Sequence, residues 1–145
     1  KQADQHLDFD IELAKSQNKE NLIFYIQYAH ARIVSLQNKY IESNGLISNN
    51  LESIENGSYI ACDKLIHEAS KFPGVVQRSS ETLQPHLIVF YLRDVAHLFH
   101  SFYNNNPILK ESMDNQKSIL SSLSLIKLVI SNGLDLLGIE AVDKM

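Results

Sequence analysis

Two phenols and a guanidinium, Tyr25, Tyr28 and Arg32, fall at helical spacing near the start of the chain. At about 100° per residue they share one helix edge, roughly a quarter turn from the apolar line of the same helix. Such an edge could stack on nucleic-acid bases and hold a phosphate, because aromatic and guanidinium planes are flat and the guanidinium carries a fork of donors. The plainer alternative stays open on pattern alone: Arg32 lies over Tyr28 as an i, i+4 cation–π pair and the tyrosines line the core boundary. A third phenol, Tyr103, stands directly before Asn104, Asn105 and Asn106, where a ring can emerge from a packed body beside polar donors and acceptors. That is a place from which Tyr103 could meet a nucleotide base.

Other constellations carry less. His97 and His100 sit at i, i+3 with Asp94 one turn before, spacing that a metal site could use, but no further ligand pair declares itself and boundary histidines account for them. Asp8 and Asp10 look like a solvated edge rather than an acid–base pair. Cys62 has His67 near in sequence but not on the same helix face, so it reads as a small buried side chain. No Gly-rich phosphate loop is present. Neither a catalytic residue nor a metal site is assigned.

Helices must position these groups. Asn21 offers an N-cap to a helix over 22–43, in which Leu22, Ile26, Ala29, Ile33, Leu36 and Tyr40 fall on one line. A second long helix is predicted over 84–107, between a Ser/Thr/Glu-rich approach and the breakers Asn104 to Pro107; its stripe is Ile88, Leu92, Val95, Phe99 and Phe102. Asn44-Gly45, Asn49-Asn50 and Asn56-Gly57 punctuate a loop-rich region with one helical turn around Leu51 to Ile54. A helix over 58–72 then ends at Pro73, and a shorter one follows over 75–84. After a polar link over 108–116, Ile119, Leu123, Ile126 and Ile130 mark a helix that ends at the C-cap Asn132-Gly133. The apolar tail, with Leu134, Leu136, Leu137 and Ile139, is expected to dock and to hold Met145 in a defined place. Short links between successive helices predict an all-α helical bundle. Residues 1–20, where acidic and apolar side chains alternate, fit an extended segment or a short acidic helix, and the abrupt start suggests a piece of something longer.

A chain of 145 residues with 44% hydrophobic and 21% charged side chains fits one globular domain. A net charge of −4 excludes indiscriminate, charge-driven binding to nucleic acid and leaves only local, shape-specific contact. No uninterrupted apolar run approaches the roughly 20 residues that span a bilayer. One cysteine and no basic-then-apolar leader make the cytoplasm the default compartment.

Several stretches, taken in order, carry a resemblance: LDFDIELAK, FYIQYAHARI, KFPGVV, PHLIVFYLRDVAHLFHSFYNNNPIL and NGLDLLGIEAVDKM. Together they cover nearly the whole chain and are similar to the C-terminal end of arginyl-tRNA synthetases, with the last two the most specific. The resemblance implies the Asp-Ala-Leu-Arg-type anticodon-binding domain, a helical bundle over 21–145, with 1–20 as the junction from a catalytic domain. It implies a parent class I enzyme that ligates arginine to tRNA with ATP and Mg. The fragment itself is not expected to be catalytic, since neither His-Ile-Gly-His nor Lys-Met-Ser-Lys-Ser occurs in it. Implied partners are the anticodon stem-loop of tRNA(Arg) and the parent's own catalytic domain, with no membrane and no DNA.

By the same resemblance, Tyr103 and Met145 lie against anticodon bases, and Tyr25, Tyr28 and Arg32 contact the anticodon loop. Asn104, Asn105 and Asn106 are additional candidate RNA contacts. Gln27 and His30 match the motif and are read as structural. The Asp-Ala-Leu-Arg signature itself is absent; SLIKLVISNG occupies its region, and Lys127 stands where the family often has arginine. The rival reading is a non-catalytic helical protein-interaction module anchored by Tyr25, Tyr28 and Tyr103.

Overall fold

The computed structural model describes residues 21–45 and 59–145, with side chains from residue 62 onward in the second stretch. The expectations for the 1–20 junction and for the loop-rich stretch over 46–57 fall outside the described residues. Helix α1 runs Leu22–Asn44 and starts as expected: the Asn21 side chain accepts from the N–H groups of Ile23 and Phe24 at 3.1 and 3.3 Å. It closes on Gly45, whose φ of +81° suits a residue without a Cβ. Helices α2 (Tyr59–Ser70), α3 (Phe72–Thr82) and α4 (His86–Asn105) follow, then a 3-10 turn (Ile108–Lys110) and α5 (Met113–Leu136). All regular elements among the described residues are helical, as the periodicities predict.

Several boundaries differ from expectation. Pro73 ends nothing; it lies in the first turn of α3, where its missing N–H would have no intrahelical partner anyway. Helix α5 is longer at both ends. Ser112 caps its start by accepting from the Asn115 N–H, and Gly133 lies inside it rather than after it. The reason is tertiary: a Cβ on Gly133 would come within 2.7 Å of Leu92 Cδ2, so the missing side chain lets α4 and α5 approach. The actual stop is one turn and more further on. Ile139 N–H donates to the Leu134 carbonyl at 3.0 Å and Gly138 N–H to Asp135 at 2.9 Å, a Schellman closure with Gly138 at φ +71°.

The core is built by the stripes that periodicity marks. Ile26, Ile33, Leu92, Val95, Phe99, Leu123, Ile126 and Ile130 have essentially no exposure, each contributing about 1.5–3 kcal/mol of burial relative to exposure. Helix α5 packs on α1, α2 and α4, and α4 also packs on α1 and α3. By length and mean hydropathy, 1.4 over its best window, α5 could cross a membrane. Its most apolar face is instead the floor of the bundle.

Candidate nucleic-acid interface

Helix α1 splits its surface between core and site. One stripe faces the core, and the edge carrying Tyr25, Tyr28 and Arg32 turns toward the last two turns of α4. There Arg32 lies between two rings, its Cζ 4.7 Å from the Tyr28 centroid and 4.4 Å from that of Tyr103. Its Nη2 also donates to the Tyr28 hydroxyl at 2.7 Å. The i, i+4 pair and the convergence with α4 thus coexist. Each cation–π contact contributes about 0.5–2 kcal/mol, and together they fix the planes of two phenols from two helices.

A buried imidazole backs this group. The His100 ring stacks on Tyr28 at 5.4 Å and 26°, and lies 4.8 Å from the Tyr25 ring. Burial raises the pKa of the Tyr25 phenol. Two clefts open on either side of Arg32. The first, about 560 Å³, lies between Tyr25, Tyr28 and Arg32 of α1 and His97, Ser101 and Asn104 of α4. The second, about 430 Å³, is framed by Tyr28, Arg32, Lys39 and Tyr103 with the chain's last residues, Asp143 to Met145. Met145, 51% exposed, stands at its mouth.

The three asparagines separate. Asn105 and Asn106 turn their amides back to the Ser101 and Phe102 carbonyls at 2.8 and 2.7 Å, finishing α4. Asn104 is exposed on the wall of the first cleft and has its amide directed to no described residue. Of the three, it is best placed to offer a base both a donor and an acceptor.

The tail docks along α1. Gln27 donates to the Glu140 carbonyl at 2.7 Å, and His30 Nδ1 donates to the Val142 carbonyl at 3.0 Å. Lys127 is not part of either cleft: it donates to Gln37 at 2.9 Å, and Gln37 donates to Ser124, tying α1 to α5. His97 is exposed while His100 is buried, and among the described residues no group of three or more His, Cys, Asp or Glu could hold a metal. Cys62 is 1% exposed, and burial pushes its thiol up to about 11 against the opposing hydrogen bond with Ser122. Sequence reasoning did not single out Ser101, Lys39 or Lys144 as site residues, nor His97 for this role. Spacing held the signal for some: His97, Ser101 and Asn104 fall at i, i+4, i+7, and Arg32 and Lys39 at i, i+7.

The two long helices α1 and α4 of this all-helical bundle converge on two phenols and a guanidinium, and comparison with known proteins gives the class to which the bundle belongs. The chain is a member of the DALR anticodon binding domain family, which matches residues 26–145. Its relatives include the arginine–tRNA ligase of Nitrosospira multiformis, 38% identical over 145 residues, covering 100% of this chain and 25% of that protein. That of Acidithiobacillus ferrooxidans is 40% identical over 152 residues, again with 100% and 25% covered. The arginyl-tRNA synthetase structure of Thermus thermophilus superimposes with a TM-score of 0.77 at 25% identity, covering 97% of this chain and 24% of that one. A Campylobacter jejuni structure described as an arginyl-tRNA synthetase gives 0.82 at 31%, covering 100% and 31%. The chain spans about a quarter of the length of the curated relatives it matches.

Proposed function

We propose that the chain is the anticodon-loop-binding part of an arginine–tRNA ligase, an enzyme that joins arginine to tRNA(Arg) with ATP. The observation that carries this is the convergence of Tyr28, Arg32, Tyr103 and Met145, from both ends and the middle of the chain, around one cleft. Single-stranded loops are read by splaying bases onto aromatic or guanidinium planes and hydrogen-bonding their edges, which needs few positive charges. A domain of net charge −4 can do this. In this reading Tyr103 and Met145 pack against anticodon bases, Tyr25, Tyr28 and Arg32 seat the loop, and Asn104 addresses a base edge. Asn105 and Asn106 shape the end of α4.

Partners are the tRNA(Arg) anticodon stem-loop and a catalytic domain of the same protein, in the cytoplasm, with residues 1–20 as the junction. ATP and Mg belong to that catalytic domain; with neither a phosphate-cradling glycine loop nor the two class signatures, no residue of this chain is assigned to them. The protein-interaction alternative has less support, because the phenols close around Arg32 and line clefts, whereas exposed Leu125, Leu128 and Leu136 lie on α5.

Replacing Tyr103 by Ala in the full-length enzyme should weaken tRNA binding by about 1–3 kcal/mol, the range for one stacked base. Filter binding and aminoacylation measure it, and unchanged values with a correctly folded variant would remove Tyr103 from the site. Moving the arginine anticodon into another tRNA should raise that tRNA's binding to the full-length protein. No change would favour the protein-interaction reading.

A further inference from the structure

We propose that Gln27 and His30 form a clasp that sets the position of Met145 at the second cleft. They are positioning residues for RNA binding, and this rests on the reading of that cleft as an anticodon-loop site. After the Schellman closure the chain has no helix, and residues 140–145 make no backbone–backbone hydrogen bond to another described residue. Polar tethering to the body comes from α1 alone among the described residues: Gln27 to the Glu140 carbonyl, His30 to the Val142 carbonyl, and Asp143 Oδ1 3.8 Å from the same imidazole nitrogen.

The spacing explains why two residues suffice. Carbonyls two positions apart point the same way in an extended chain, and side chains three apart are neighbours on a helix. Residues 27 and 30 therefore meet 140 and 142 in register, while Ile139 and Ala141 pack against the core. Because both pairings rise in number together, the tail travels in the direction of α1. Its last three residues then reach Ala31, Ser35 and Lys39, beside Tyr28, Arg32 and Tyr103. His30 is only 5% exposed although it lies off the core stripe, and Ala31 beside it is buried too. A carbonyl can only accept, so His30 must carry its proton on Nδ1 for this geometry.

The test uses the full-length protein and begins without RNA. Release of Met145 by tryptic cleavage after Lys144 should be at least severalfold faster in Gln27→Ala/His30→Ala than in the parent, with unchanged helical circular dichroism. His30→Asn, whose amide nitrogen can stand in for Nδ1, should restore slow release and guards against a folding defect in the alanine variant. In tRNA titrations His30→Ala should bind about fivefold more weakly, the worth of one hydrogen bond, and the loss should vanish once Met145 is deleted. Equal release rates would overturn the clasp. Faster release with unchanged tRNA affinity would overturn its RNA role; if Tyr103→Ala is then also silent, the anticodon reading itself has failed, and if Tyr103→Ala weakens binding, only the positioning claim has. A loss of equal size with and without Met145 would make His30 merely structural.

Discussion

Phe99 and Tyr103 are one turn apart on α4 and 6.1 Å apart between ring centroids, yet they belong to different regions of the molecule. Phe99 has no exposure and sits in a body formed with α1 and α5. Tyr103 is half-buried at the rim, where Arg32 covers one face of its ring and the second cleft opens beside it. A single helix thus passes from scaffold to surface chemistry within four residues. The difference lies in the surroundings: Phe99 is enclosed in the core, with the His100 ring 5.4 Å away, whereas Tyr103 carries a guanidinium that orients the ring and leaves part of it open.

That contrast is broken most directly by truncating both rings. Phe99→Ala should cost about 3–5 kcal/mol of folding stability, read from the urea midpoint, because a fully buried ring is lost and a cavity is left in its place. Tyr103→Ala should cost clearly less stability while carrying the tRNA defect predicted above. Similar losses of stability for both would place Tyr103 in the scaffold.

Gly133 sharpens the boundary of the body. Alanine would gain about 1 kcal/mol of helix propensity there, but its Cβ would meet both Leu92 methyls, at 2.7 and 2.9 Å, and Leu92 is itself fully buried. Overpacking of this kind costs about 1–3 kcal/mol, so Gly133→Ala should be destabilising by about 1 kcal/mol net. A stabilised variant would show that Leu92 has room to turn, and that the α4–α5 contact is looser than its geometry implies.

The same residue shows where reading the sequence stops. The apolar stripes of α1, α4 and α5, the Asn21 cap and the shared edge of Tyr25, Tyr28 and Arg32 follow from side-chain spacing within one helix, which is local information. Asn132-Gly133 looked like a cap by the same local rule, and Pro73 like a stop. What decides them is the approach of Leu92 in one case and the position within a first turn in the other. The tail is a stronger instance, since its tethers join residues 112 and 113 positions apart. Gln27 and His30 are visible as part of a motif, but no periodicity says what they hold. His97 and Ser101 matter only once α4 is laid against α1.

Smaller effects test whether the body and the rim differ in strain as well. Leu83, after α3, sits at φ +55° and is 87% exposed, so it holds a left-handed conformation without burying its side chain. That conformation costs a non-glycine residue about 1–2 kcal/mol, part of which glycine would recover and part of which it would return as chain entropy. Leu83→Gly should raise stability by about 0.5–1 kcal/mol with tRNA binding unchanged. A loss of stability would mean that the Leu83 side chain makes a packing contribution that its exposure hides.

The titratable groups supply the finest comparison. Inside the body, burial raises the Tyr91 phenol, with the Glu68 charge adding to it, and pushes the Cys62 thiol to about 11. A free thiol titrates near 8.5, so the folded state holds the Cys62 proton more tightly than the unfolded state does. The contribution is fully present below about pH 8.5 and is lost as pH rises from there through about 11. Native protein at pH 8 should therefore react with iodoacetamide far more slowly than urea-unfolded protein, with the two rates converging only as the fold opens. Fast native labelling would show that α2 lifts readily from α5, which carries the Ser122 partner of Cys62.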